Sequence, residues 1–252
     1  MTLDPESRDK EQKKNKNVVS RVAAGLSLVA GGGSRAAENI QLPSGLGERW
    51  QLPVPPSPTL SELFAEHPRD GGWAGFLLAQ VGTDKPLLWI QDRMAILESG
   101  RVHPLGLPSQ NLIHIEARDA RDALWAMEEG VRCAALSAVI GEIWGDPKAL
   151  DFTATRRLAV ASERSGTACW LVRLGGVPNL SGARMRWRIA SAPSLANPLD
   201  PRASGTPAWD ADLFRARGQP PGQWSVAHEA GLFHLVAASG DRALGEDRRL
   251  RA

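Results

Sequence analysis

The chain has 252 residues, of which 42% are hydrophobic and 23% charged, with a formal net charge of +2. That length suits one large domain with tails or two small ones. The composition is globular, and the charge excludes bulk attraction to nucleic acid. No apolar run approaches the roughly 18 residues that a membrane span needs. The Lys-rich start followed by Val22–Ala30 lacks the run length and cleavage pattern of a secretory leader, so a cytoplasmic location is expected. The two cysteines, Cys133 and Cys169, lie in apolar segments outside any CxxC or Cys/His cluster and read as buried structural thiols. Nine Trp and no Tyr have no explanation at the level of sequence beyond a composition rich in Ala, Gly, Pro and Arg.

In chain order, residues 1–17 mix charges with almost no apolar content and are expected to be disordered. Val18–Val29 reads as a short helix with Val18, Val22 and Leu26 on one face. Gly31–Pro58, rich in Gly, Pro and Ser, reads as an extended lead-in. Leu60–Ala65 is a strand, Glu66–Gly72 a polar turn, and Trp73–Leu78 the start of a helix. Leu87–Gln91 is a second apolar strand, Met94–Leu105 a short helix plus loop, and Leu112–Glu116 a further strand. Asp119–Leu136 is helical, with Ala120, Ala123, Leu124, Met127, Val131 and Ala135 on one face. Ser137–Ile143 is a strand, Asp151 an N-cap for a helix through Arg164, Gly166 its stop, and Ala168–Leu174 a strand. This alternation predicts an α/β fold with a central, mostly parallel sheet flanked by helices on both faces.

The pattern then changes. Gly175–Gly182 reads as a mobile loop. Arg184, Arg186 and Arg188 alternate with Met185, Trp187 and Ile189, predicting a half-buried strand with one basic face. Ser191–Pro207 reads as a long loop. Asp212–Ala216 and Trp224–Ala230 read as short strands around a Gly218–Gly222 turn, and the last dozen residues as a polar tail.

Strand, polar Gly-containing turn and helix at Leu60–Leu78 occupy the place of a phosphate loop in a nucleotide-binding α/β domain. A working loop ends in Gly-Lys-Ser/Thr, the Lys meeting phosphates and the hydroxyl holding Mg²⁺. Here the ending is Gly72-Trp73-Ala74, without cation or hydroxyl. The loop residues Pro68, Gly71, Gly72, Trp73 and Ala74 therefore read as a degenerate phosphate loop, or as an ordinary strand-to-helix turn. The histidines, His67, His103, His114, His228 and His234, have no metal-ligand spacing, and no G-x-S-x-G elbow occurs. No cofactor, metal or catalytic group is expected. Glu142 ends a strand near where nucleoside-triphosphate hydrolases hold Mg²⁺, but Gly141 takes the acidic place itself. Arg184, Arg186 and Arg188 read either as contacts to phosphates or an acidic partner or as a charged sheet edge that resists pairing. Arg156-Arg157 and Glu128-Glu129 read as solvated.

The order of elements over Leu60–Pro193 resembles the RecA core. LSELFAEHPRDGGWAGFLLAQ stands where RecA has strand, phosphate loop and helix, with Pro68 and Gly72 kept. PLLWIQDRMAILESGRVHPLGLPSQNLIHIEARDARDALWAMEEGVRCAALSAVIGEI follows element for element. SGTACWLVRLGGVPNLSGARMRWRIASAPS resembles the strand, DNA-facing loop and following strand. With FRARGQPPGQWSVAHE, where an Arg-Gly turn precedes a Trp, the chain resembles the ImuA family, the SOS-induced, RecA-like proteins of bacterial mutagenesis operons. Trp73 and Ala74 replace the loop Lys and Thr of RecA, and Gly141 its strand-end Asp.

The resemblance implies a RecA-like core at 39–193, an N-terminal flexible segment at 1–38, a C-terminal loop and β partner-binding segment at 194–240 and a polar tail at 241–252. It also implies a non-catalytic role in translesion synthesis. The expected partners are an ImuB-like Y-family polymerase homologue, a DnaE-type polymerase and RecA, with DNA contacted weakly or indirectly. Asp212–Glu229, outside the RecA-like core, carries exposed-looking Trp and Arg and is the expected polymerase-partner element, detachable at Pro207 from a folded core. Contacts to a partner or DNA are expected from Arg184, Arg186, Arg188, Phe214, Arg215, Arg217 and Trp224. An active RecA-family ATPase with an atypical loop, a SulA-like cell-division inhibitor and a lone DNA-binding module remain alternatives.

Overall fold

A computed structural model of the chain describes residues 47, 49–103, 107, 111–200 and 202–237. The expectations for residues 1–38 and 241–252 lie outside the described residues, as does the Leu105 end of the second helix and loop. The described residues belong to one compact unit.

Among the described residues nine strands form a single sheet: β1 (Leu60–Ala65), β2 (Leu87–Asp92), β3 (Leu112–Ala117), β4 (Ala138–Trp144), β5 (Ala168–Leu174), β6 (Met185–Leu195), β7 (Thr206–Ala216), β8 (Gly222–Glu229) and β9 (Leu232–Leu235). Their order is β3-β2-β4-β5-β1-β6-β7-β8-β9. The pairs from β3 to β6 are parallel, and those from β6 to β9 antiparallel. The helices are α1 (Gly72–Leu78), α2 (Arg93–Ser99), α3 (Ala120–Val131) and α4 (Phe152–Ser165). This is the expected RecA-like α/β core.

Local chemistry places the helix starts. Asp119 accepts from the backbone N–H groups of Arg121 and Asp122 ahead of α3, and Asp151 accepts from Ala154 ahead of α4. Side-chain acceptance of an orphan N–H is what an N-cap supplies. Gly166 closes α4 at φ 74°, the left-handed value that Gly adopts without penalty. Strands β2, β4 and β5 are buried along almost their whole length, as parallel strands covered on both faces must be.

Alternation along each strand sends side chains to two separate cores. On one face α3 and α4 pack Ala123, Met127, Leu158 and Ala159 against Ile90, Val139, Ile143 and Leu171. On the other, α1 packs Trp73, Phe76 and Leu77 against Trp89, Trp170, Trp187, Trp209 and Phe233. Trp50, Trp144 and Trp224 are partly buried against this second core. Eight of the nine tryptophans therefore gather on one side of the sheet, while Trp125 on α3 is 66% exposed.

Several expectations are corrected. Ser191–Pro207 is not one long loop: β6 runs to Leu195 and β7 begins at Thr206. The reason is register, since β6 pairs with β7 as far as Leu195↔Thr206 despite an irregularity after Ala192. Strands β7 to β9 continue the sheet, and Trp209, Leu213, Val226 and Phe233 belong to the same core as α1. The third helix ends at Val131, five residues before Leu136, and Cys133 just beyond it is exposed rather than buried. Cys169 is buried as expected, and burial pushes its thiol pKa upward.

Candidate functional site

In parallel α/β sheets ligands bind at the carboxyl ends of the strands. There the turn after β1 meets the ends of β2 and β4 around a cleft of about 360 Å³, lined among others by Pro68, Asp70, Trp73, Trp89, Gln91 and Glu142. Pro68, Gly71, Gly72, Trp73 and Ala74 all stand on this turn or on the first turn of α1.

The turn is closed by the protein itself. Asp70 Oδ1 accepts from the Gly72 N–H at 2.9 Å, and Oδ2 accepts from the Ser191 N–H at 2.7 Å. The Ser191 hydroxyl also donates to Oδ1. A carboxylate thus sits where a phosphate would use the N–H groups of a helix start. Burial alone would raise the Asp70 pKa, but the hydrogen bonds from Ser191 and Gly72 outweigh it and hold the carboxyl below its ordinary range. Gly72 and Gly75 serve packing. A Cβ on Gly75 would come within 2.9 Å of the Trp209 ring, and one on Gly72 within 2.0 Å of Ser191 Oγ, whereas one on Gly71 would meet nothing within 4 Å. The Trp209 indole N–H also donates to the Gly72 carbonyl at 2.6 Å.

The side chain at the lysine position, Trp73, is buried and lies 6.1 Å from the Trp89 ring, centroid to centroid. Deeper in the cleft Glu142 is 3% exposed. Trp89 Nε1–H donates to its Oε1, and Gln91 Nε2 donates to its Oε2 at 3.1 Å. Gln91 Oε1 in turn accepts from the Val102 N–H at 2.9 Å and lies 3.0 Å from His114 Nε2. Burial pushes Glu142 up to about 7, against the two hydrogen bonds that favour its ionised form. Among the described residues no three His, Cys, Asp or Glu side chains gather as a metal site requires.

The alternation in β6 is as expected, but its arginines do not form a solvated basic face. In the parallel register Arg186 lies directly opposite Glu62 of β1. It is buried, donates to Glu62 Oε2 at 2.7 Å, and stands over the rings of Phe64 and Phe214. Ser181 donates to the other Glu62 oxygen at 2.7 Å. Arg173 of β5, fully buried, pairs with Asp146 and lies 4.0 Å from Glu62. Its burial lowers its pKa, with Glu62 and Asp146 opposing. Arg184 pairs with Glu163 at 2.7 Å. Arg188 reaches Glu66 at 3.5 Å and Asp212 at 3.4 Å, and stands over the Phe214 ring. Trp224 is half-buried on the opposite face, 4.9 Å from the Trp50 ring. Arg215 and Arg217 are exposed. Of the expected contact residues, Arg186, Arg188 and Phe214 form one stack, Arg184, Arg215 and Arg217 line a separate cleft, and Trp224 stands apart.

Sequence reasoning did not single out Asp70, Glu62 or Arg173. A Glu within the apolar strand LSELFA was the available signal, since a charge on a buried strand needs a partner.

Fold and site together define a RecA-like α/β protein whose turn between β1 and α1 is closed by its own carboxylate, Asp70, and carries no lysine. No family model matches the chain. Its sequence is 35% identical over 170 residues to Protein ImuA from two strains of Caulobacter vibrioides, covering 62% of this chain and 67% of each relative. The chain belongs to the ImuA family.

Proposed function

We propose that the protein is a non-catalytic accessory of damage-induced mutagenesis, an adaptor between an ImuB-like Y-family polymerase homologue and a DnaE-type polymerase that also engages RecA. The observation that carries the non-catalytic reading is the self-occupied phosphate turn. Asp70 takes the Gly72 N–H at the start of α1 and the Ser191 N–H of β6, and Trp73 packs where the lysine would stand. An anion brought there would meet the Asp70 carboxylate and no lysine on the turn; the lining arginines Arg69 and Arg101 are already paired with Glu98 and Glu116. A RecA-like fold that has lost its nucleotide chemistry still offers a RecA-shaped surface, able to dock on a RecA protomer or end a filament. Family membership supports the mutagenesis role. Deleting the gene is expected to collapse damage-induced mutation frequency, with recovery by the intact gene. Unchanged induced mutation overturns the reading. Purified protein is likewise expected to alter the DNA-stimulated ATPase of RecA at saturating ratio.

A second reading, an NTPase with an atypical loop, is favoured by one observation. Glu142 combines a place two residues before the end of β4, facing the cleft, with a pKa near neutrality, the range suited to a general base. Measurable Mg-ATP binding that is lost in Glu142→Gln would establish it.

A further inference from the structure

Helices α3 and α4 cover the same face of the sheet, and their outer sides leave a groove between them. One stretch, of about 220 Å³, lies between Arg121, Leu124 and Trp125 of α3 and Ala154 and Leu158 of α4. A second stretch, of about 430 Å³, runs on between Arg132 and Val160, Ala161 and Arg164. Glu128 and Arg157 line both stretches and pair across the groove. Residues 121–132 rise about 16 Å along the helix axis, or about three turns.

The floor of the groove is aliphatic and its rim is basic. Leu124 and Leu158 are buried, and Ala154, Val160 and Ala161 are half-buried. Trp125 stands on the rim, 66% exposed. It is the one tryptophan that the core beneath α1 does not take up. A large ring left in water at the mouth of an apolar groove has the residue type and the position of an interface anchor. Arg121, Arg132, Arg157 and Arg164 line the groove with a single carboxylate, Glu128. Glu128 is shared between Arg132 and Arg157. Glu129 reaches Arg132 from outside the lining, and Asp122, next to Arg121, is held by Arg118. The groove keeps a positive excess, which favours an acidic occupant. Its aliphatic floor separates a protein segment from nucleic acid. Leu, Val and Ala side chains receive the apolar face of a third helix, whereas successive bases need rings to stack on, and Trp125 is the only aromatic in the lining.

We propose that the α3–α4 groove docks an acidic, amphipathic helix of a partner protein, its apolar face against Trp125, Leu124 and Leu158 and its carboxylates on the arginine rim. The proposal deepens the adaptor reading, from which it takes only that a partner exists.

The test uses the full chain and a labelled probe, an acetylated peptide of about 14 residues, roughly four turns, with Leu on one helical face and Glu elsewhere. Fluorescence anisotropy is expected to show saturable binding that weakens as salt rises. The same peptide with Lys in place of Glu should bind at least about tenfold more weakly. An acidic peptide of equal composition whose Leu residues share no face should be weakened as much. Trp125→Ala should lower the affinity at least about tenfold. The charge reversal R121E/R164E should weaken the acidic peptide and strengthen the Lys peptide. Leu199→Ala, 94% exposed and outside the groove, should match the wild type. The substituted positions are all exposed, and matching thermal melts would show that the variants fold. No saturable binding of the acidic peptide, or equal binding by Trp125→Ala, overturns the proposal. Oligothymidylate that binds more tightly than the acidic peptide, with the same loss in Trp125→Ala, assigns the groove to nucleic acid and also overturns it. Peptide binding is read with purified components, so its failure leaves the mutation-frequency test of the adaptor reading standing, and failure of that test leaves peptide binding standing.

Discussion

Two carboxylates in one cleft behave oppositely, and each leads to a measurement. Glu142 is buried with its pKa raised from 4.5 to about 7. Between those values the folded protein keeps a proton that the unfolded chain has lost. Its contribution to stability therefore falls as pH rises through that window, by at most about 3 kcal/mol, and is constant above it. Denaturant unfolding at pH 5 and pH 8 is expected to show this loss in the wild type and little of it in Glu142→Gln, which is the more stable of the two at pH 8. A wild type whose stability does not change between those pH values would contradict the ionisation assigned to Glu142. Asp70 is held below its ordinary range, so its contribution is present at neutral pH and disappears only as pH falls through its folded-state pKa. Asp70→Ala should cost about 2 kcal/mol at pH 7, the scale of charge-assisted hydrogen bonds to Gly72 and Ser191, with a smaller difference in acid. The loop composition of Glu66–Ala74 was legible in sequence, including the missing Lys and Thr. What Asp70 reaches was not, because Ser191 is 121 positions away.

Helix α1 is seven residues long, below the length at which an isolated helix is stable, so its packing holds it in place. That packing runs through Gly75 against Trp209. Gly75→Val should lose about 2 kcal/mol through overpacking, while Gly71→Ala should stay within about 0.5 kcal/mol of wild type, both read from thermal melts. A phosphate-binding turn would show a different order, with Gly71 and Gly72 the sensitive positions in ligand affinity. Strand β6 behaves similarly. Its alternation of Arg with Met, Trp and Ile was visible locally, and its two faces follow directly. The fate of the arginines depended on Glu62, Glu163, Glu66 and Asp212, which come from other elements.

Across the whole molecule, the antiparallel strands β7 to β9 complete the core. Trp209 and Phe233 both pack against Phe76 of α1, at 6.1 and 5.6 Å between ring centroids. Ending the chain at Pro207 removes them and bares Trp187, which is fully buried in the intact sheet. The shortened chain is expected to lose its cooperative thermal transition and to be cut rapidly by protease. A truncated protein that melts cooperatively would restore a detachable C-terminal segment. Partner mapping is therefore better done with exposed single substitutions than with truncation.

The strands β1 to β5, the helices between them, their alternation and the absent phosphate-loop lysine were determined by the sequence alone, because apolar period, N-caps such as Asp151 and the identity of Trp73 are local properties. Tertiary structure alone decided that Asp70 fills the turn, that Glu62 lies opposite Arg186, that the tryptophans gather on one face and that Ser191–Leu195 is strand. Each of these depends on which strands become neighbours and in what register, and a polar side chain far along the chain can satisfy a buried group only once that register is set.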